Sequence, residues 1–284
     1  MENKNVKIEE LDLVEFQNFL RERENAAATI EKYVRDVKTF TRFSGEEIMT
    51  KELLLEYKDW LIKNYAVSSA NSMMVALNQF LSFIELGRWK LKRIKVQRLN
   101  YDGQEKELTK KEYQLLIFTA KKQGKEQLAM IMETMCATGI RVSELKFFRV
   151  EDIKKGVVKV WNKGKYRMVV LTGKLRKKLD LYRKKQGIKK GCIFVTKNGR
   201  IKDRSNIWRE MKNLAKEARI NPDKIFPHNL RHLFARTFYA KTKNLIDLAD
   251  ILGHNSLEIT RIYTYAGIKE WKRSMEKLDL LTDL

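Results

Sequence analysis

Long apolar runs are missing from this 284-residue sequence. No stretch approaches the ~18–20 consecutive apolar residues that a bilayer-spanning helix requires, so a helical membrane protein is excluded. Cysteine is scarce, with Cys136 and Cys192 far apart and no C-x-x-C pair. That rules out a disulfide scaffold or a cysteine zinc site, and both thiols are expected to stay reduced in the cytoplasm. Histidine occurs only at His228, His232 and His254, and no paired carboxylates are placed to hold Mg²⁺. Neither a metal nor another cofactor is therefore expected. The first residues, Met1 to Asp12, are polar and acidic and lack the basic-then-apolar pattern of a secretion signal, which again points to a cytoplasmic protein.

Positive charge, by contrast, is abundant. The chain carries 59 Lys and Arg against 36 Asp and Glu, a formal net charge of +23. Such an excess repels itself unless a polyanion neutralises it, and nucleic acid is the commonest such partner. The excess is unevenly placed. Residues 1–104 hold 17 basic and 16 acidic side chains, whereas residues 105–284 hold 42 and 20.

The first hundred residues have the periodicity of helices. Ile30, Tyr33, Val34, Val37 and Phe40 share one face, as do Ala70, Met73, Met74, Leu77, Phe80, Leu81 and Ile84. With two further amphipathic stretches near 9–23 and 50–65, about four helices are predicted, enough for a small bundle. The methionines and aromatics in these stripes are assigned to its core. Arg88, Lys90, Lys92, Arg93, Lys95 and Arg98 then fall within eleven residues that contain no acid. This basic run reads as a strand that tracks DNA phosphates.

Asn100 to Gln104 is a polar break, and Thr109-Lys-Lys-Glu112 has the form of a capping box that opens a new helix. These signals divide the chain into a helical domain (1–98), a linker (99–106) and a second domain (107–284). The second domain is also mainly helical. Its one interruption is a hairpin, Val157–Trp161 and Arg167–Leu171, joined by Asn162–Tyr166 with Gly164 at the turn. The fold class expected is mainly α with a small antiparallel sheet. An apolar stripe of Ile268, Trp271, Met275, Leu278 and Leu281 marks the charged tail.

The reactive residue types of the second domain fall in a definite order. Thr138-Gly-Ile-Arg141 comes first, then Lys163 in the hairpin, His228-Asn-Leu-Arg231-His232, Leu252-Gly-His254, and Ile262-Tyr263-Thr264. Two arginines can bind the non-bridging oxygens of a phosphate as planar forks, and such contacts strengthen as charge builds on a five-coordinate phosphorus. A lysine on a turn can protonate a departing oxygen, and a tyrosine hydroxyl can attack phosphorus and stay attached.

With Arg, Lys, His-x-x-Arg, His and Tyr in this order, the sequence resembles the tyrosine recombinases (the phage integrases and the resolvases of chromosome dimers). The resemblance covers nearly the whole chain and matches the two-domain type without an arm-binding domain. It implies a helical core-binding domain followed by an α+β catalytic domain that cuts and rejoins duplex DNA through a 3′-phosphotyrosine. Arg141 and Arg231 would clamp the phosphate, Lys163 would be the general acid, and His228 would assist proton movement. His254 would hydrogen-bond the phosphate, and Tyr263 would be the nucleophile. Glu144, one helical turn after Arg141 on the same face, would orient that arginine, and His232 would support the motif from behind. Lys165 and Tyr265 stand two residues from Lys163 and Tyr263. The family's Lys-Gly turn and the nine-residue step from His254 favour the earlier residue of each pair.

The resemblance further implies a homotetramer on two DNA sites, with the tail 268–284 docking on a neighbouring protomer, and a location on the nucleoid as part of a mobile element. One departure concerns the linker. Relatives often carry a proline there, but the only prolines here are Pro222 and Pro227. A non-enzymatic DNA-binding regulator and a type IB topoisomerase are the competing readings. The first leaves the reactive residues unexplained, and the second predicts DNA relaxation without exchange between two sites.

Overall fold

The computed structural model describes residues 10–45, 47–95, 107–162, 164–196, 198–254 and 256–261. Lys163, Tyr263, Tyr265, the 99–106 linker and the 268–284 tail lie outside them. The chain separates into two compact units, Met1–Leu99 and Asn100–Leu284.

The first unit is a bundle of helices α1 (Glu10–Glu22), α2 (Ala27–Ser44), α3 (Lys51–Asn64) and α4 (Val67–Phe83). Thr50 caps α3 by accepting a hydrogen bond from the Leu53 amide at 3.1 Å. The apolar stripes of the sequence meet in its core, where Phe16, Phe40, Leu54, Tyr57, Met74 and Phe80 are fully buried. Tyr33, Val34 and Ile84 pack against its edge.

After a 3₁₀ turn at Gly87–Trp89, the basic run lies back along α4. Two asparagines hold it there. The Asn78 carboxamide accepts from the Leu91 amide at 2.8 Å and donates to the Leu91 carbonyl at 2.9 Å. Asn71 does the same for Ile94, at 2.8 and 3.0 Å. Residues seven apart stand two turns along one helix face, about 10 Å, which is also the span of three extended residues. The asparagines thus pair with the strap as a neighbouring strand would. Leu91 is buried, while Arg88, Lys90, Lys92, Arg93 and Lys95 are exposed. Through residue 95 the basic run is therefore an ordered part of the helical unit, not a free linker.

In the second unit the capping box is present. Thr109 accepts from the Glu112 amide and Glu112 accepts from the Thr109 amide, opening α5 (Lys110–Lys122). Helix α6 (Glu126–Thr138), a 3₁₀ turn (Val142–Phe147) and α7 (Val150–Lys155) lead to strands β1 (Val157–Asn162) and β2 (Lys165–Val170). The strands pair antiparallel from Val157↔Val170 to Asn162↔Lys165, so they run closer to the turn than the sequence suggests. Helices α8 (Gly173–Lys185), α9 (Arg204–Glu217), α10 (Pro227–Thr242), α11 (Leu245–Leu252) and α12 (Leu257–Arg261) follow. Helix α6 is central and buries Leu128, Ile131, Met132 and Met135 against residues such as Leu116, Val158, Leu179, Met211 and Leu230. Among the described residues, no helix is long and apolar enough to cross a membrane.

Candidate active site

Arg141 sits just beyond the end of α6. The helix is stopped by Gly139 at φ +67°, and a Cβ there would stand 2.5 Å from Phe234 and 2.8 Å from Leu252. Only glycine meets both demands, the left-handed backbone and the close approach of α10 and α11. Arg141 itself is the cap residue of the 3₁₀ turn, with an extended backbone. The expectation that Arg141 and Glu144 share an α-helical face is corrected accordingly. Glu144 reaches Arg141 by folding back over the turn, accepting from its amide at 2.7 Å and from Nη1 at 3.3 Å.

Glu144 is 1% exposed and serves a second arginine. Its Oε2 accepts from Nη2 of Arg167, on β2, at 2.7 Å. Burial lowers the Arg167 pKa, Arg141 lowers it further, and Glu144 opposes both. Arg167 also lies against Gly253, where a Cβ would be 2.5 Å from its Cδ. Gly253, at φ +64°, ends α11 and immediately precedes His254. One buried carboxylate therefore ties Arg141 to the hairpin, and the hairpin arginine packs on the segment that carries His254.

Arg231 is 1% exposed on α10. It donates from Nη1 to the Gly139 carbonyl at 2.9 Å and from Nη2 to the Leu252 carbonyl at 2.8 Å. These acceptors lie at the C-terminal ends of α6 and α11, where carbonyls lack intrahelical partners and the helix dipole is negative. Two helix ends thus hold a buried cation in place through groups that carry no formal charge. Nη2 also lies 2.8 Å from Nε2 of His254, and Nδ1 of His254 lies 2.8 Å from the hydroxyl of Thr260, a fully buried residue.

The histidines sit in a setting that disfavours their charged form. Burial, then Arg231, Arg141, His228 and Arg167, push His254 down to about 4. His232 is likewise held at about 4 by burial, His228 and Arg231. His228 opens onto a cavity, yet the protein around its ring and the charges of Arg231 and Arg141 lower its pKa. Its ring meets His232 edge-to-face at 4.6 Å. The cavity, about 740 Å³, is lined by Arg141, Arg204, Ser205, Trp208, His228 and Arg231 among others.

The structure thus gathers Arg141, Glu144, His228, Arg231, His232 and His254 in one region of the second unit. Arg88, Lys90, Lys92, Arg93 and Lys95 belong to the other unit. Lys163 and Tyr263 lie outside the described residues, although the hairpin on either side of Lys163 is anchored through Arg167. Sequence reasoning missed Arg167, Thr260 and the asparagine clamps. Arg167 carried a usable signal, since the period-two alternation that buries Val169 and Leu171 puts an arginine on the same inward face. Among the described residues, no three His, Cys, Asp or Glu side chains gather into a group that could hold a metal ion.

Arg141, His228 and Arg231 thus line one cavity, with Arg141 braced by Glu144 and Arg231 held by two helix ends. The sequence model of the phage integrase family matches residues 106–269, and that of the phage integrase N-terminal SAM-like domain matches residues 13–86. The chain belongs to the phage integrase family and is a tyrosine recombinase, an enzyme of site-specific DNA cleavage and rejoining. Among similar proteins, the tyrosine recombinase XerA of Pyrococcus furiosus is 28% identical over 281 residues, covering 96% of this chain and 95% of the relative. The tyrosine recombinase XerC of Thermodesulfovibrio yellowstonii is 36% identical over 152 residues, 49% of this chain and 50% of the relative. A solved lambda integrase tetramer bound to a Holliday junction shares the fold with a TM-score of 0.72 at 18% identity, over 92% of this chain and 78% of that one. The XerH recombinase in its pre-cleavage complex with difH shares it at 0.64 and 17% identity, over 96% and 90%.

Proposed function

We propose that this chain exchanges strands between two duplex DNA sites, with Tyr263 as the nucleophile. Tyr263 attacks a backbone phosphate, forming a 3′-phosphotyrosine and releasing a 5′-hydroxyl. A 5′-hydroxyl from the partner duplex then attacks the phosphotyrosine and restores a diester. The bond energy is held in the tyrosyl ester, so the exchange is balanced without ATP. Arg141 and Arg231 bind the non-bridging oxygens and stabilise the charge that builds at phosphorus. Lys163 delivers the proton to the leaving 5′-oxygen, His228 assists proton movement beside the nucleophile, and His254 hydrogen-bonds the phosphate. Glu144 and His232 support these groups from behind.

The observation that carries the reading is the convergence of Arg141, His228 and Arg231 on one cavity, with His254 hydrogen-bonded to Arg231. The domain limits that accompany it are a core-binding domain at 1–98, a linker at 99–106 and a catalytic domain at 107–284. The exposed Arg88, Lys90, Lys92, Arg93 and Lys95 contact DNA phosphates. Four protomers act on two sites, the tail 268–284 docks on a neighbour, and the enzyme resides on the nucleoid. Solved relatives bound to DNA, one of them a tetramer on a Holliday junction, support this assembly.

The test incubates labelled duplexes tiled across the DNA flanking the gene with wild-type protein and Tyr263→Phe in EDTA. A detergent-stable, protease-sensitive adduct is expected with the wild type only. Adducts that persist in Tyr263→Phe would move the nucleophile to Tyr265. Tight binding to a nicked duplex with no trapped adduct in either protein would replace the reading with a non-catalytic DNA binder.

A further inference from the structure

The tautomer of His254 follows from its two neighbours. Arg231 has only donors and stays protonated. With Nη2 at 2.8 Å, Nε2 of His254 must therefore present its lone pair. The ring proton then resides on Nδ1, where the Thr260 hydroxyl oxygen accepts it at 2.8 Å. In this state His254 offers Arg231 an acceptor and has no N–H on its Nε2 edge.

A phosphate oxygen has nothing to donate and can only accept. For His254 to bond a phosphate seated on Arg231, Nε2 must carry a proton. The neutral ring reaches that state by exchanging protons with water: the Nδ1–H bond breaks and an Nε2–H bond forms. Nδ1 is then a lone pair and needs a donor. A hydroxyl is the group that fits both states, since it accepts in one and donates in the other.

We propose that Thr260 is a positioning residue for His254: its buried hydroxyl supports the Nδ1–H tautomer in the free enzyme and the Nε2–H tautomer once phosphate occupies Arg231. Thr260 lies three residues before Tyr263, so the same short helix that leads to the nucleophile also sets the donor face of the histidine. The inference rests on the phosphate-binding role of His254 set out above. Burial and the surrounding arginines favour a neutral ring, in keeping with a change of tautomer at constant charge.

The test is ¹⁵N NMR of the full chain labelled at histidine. The sequence has three histidines, so His254→Gln assigns the ring of interest by difference. In the free wild type, His254 is expected to show a protonated Nδ1 and a bare Nε2. Saturation with a 30-base-pair duplex of arbitrary sequence, as a phosphodiester probe, is expected to reverse the two. Thr260→Val should abolish the reversal, and Thr260→Ser should restore it. Circular dichroism checks that each variant is folded, and a folding defect alone does not separate Val from Ser in tautomer while leaving their spectra alike.

A bare Nδ1 in the free enzyme, or a reversal that survives in Thr260→Val, overturns the proposal. So does a ring that shows no reversal, or takes a second proton, on the duplex. These spectra need no cleavage, so failure of the recombinase reading is seen separately, as absence of the wild-type adduct.

Discussion

Replacing Glu144 by Gln keeps the shape of the side chain and removes its charge. Glu144 is 1% exposed and accepts three hydrogen bonds, two of them at 2.7 Å. In the variant one oxygen becomes an NH₂ group, which must face an arginine donor or a backbone N–H. That contact is lost, and the other two weaken from the ~1.5–3 kcal/mol of charged pairs to the ~0.5–1.5 kcal/mol of neutral ones. Arg167, with only 13% of its side chain exposed, then keeps its charge beside Arg141 without a counter-ion between them. Because Arg141 is 34% exposed, the loss belongs at the low end of the ~3–5 kcal/mol found for breaking buried pairs. A value of ~3 kcal/mol corresponds to a fall in Tm of roughly 6–12 °C for a unit of this size.

Urea and thermal unfolding of the full chain measure it, with Arg167→Met and the double variant completing a cycle. The double variant should recover part of the loss, since it no longer leaves a cation facing an amide. A Tm for Glu144→Gln within about 2 °C of wild type would refute the reasoning, because less than ~1 kcal/mol would then be lost.

Gly253→Ala should destabilise by ~1–3 kcal/mol through its left-handed backbone and should displace Arg167, so its urea midpoint and its adduct yield should fall together. Acid should weaken the fold. His232 and His254 sit near 4 when folded against 6.5 as reference, so the unfolded chain binds more protons below neutrality and stability is lost as pH falls from about 6.5 towards 4. Unfolding midpoints from pH 7.5 to 4.5 measure this, and His232→Gln should flatten the curve. Asn78→Leu should cost ~1–3 kcal/mol for two hydrogen bonds. It should also speed amide exchange at Leu91 and weaken binding to arbitrary duplex DNA at unchanged net charge.

The fold was legible in the sequence wherever a local rule governs the backbone. Thr109 and Glu112 cap α5 as their spacing requires, and the stripes of α2 and α4 face the core. The order of residue types pointed to Arg141, His228, Arg231 and His254, which the folded chain brings together at one cavity. Its bracing was not legible. The clamp of Leu91 by Asn78 spans 13 residues, and the contact of Arg167 with Glu144 spans 23. Neither spacing belongs to a helix or strand period, so only the folded chain brings the partners together. The relation of Arg141 to Glu144 was misread for a different reason. An i, i+3 spacing fits an α-helical face and a 3₁₀ cap alike, and here Arg141 is the extended cap residue of the 3₁₀ turn that carries Glu144.

The mooring of Arg231 has a consequence for folding. Its two carbonyl partners lie 92 and 21 positions away in the chain, at the ends of different helices. Neither exists as an acceptor for Arg231 until α6, α10 and α11 have docked. Non-local contacts of this kind form late and together, because loop closure must precede them. A nascent or partly unfolded chain still carries its positive charge, but Arg231 has no fixed place in it. The placement of Arg231 beside His254 and the cavity therefore arrives with the completed fold.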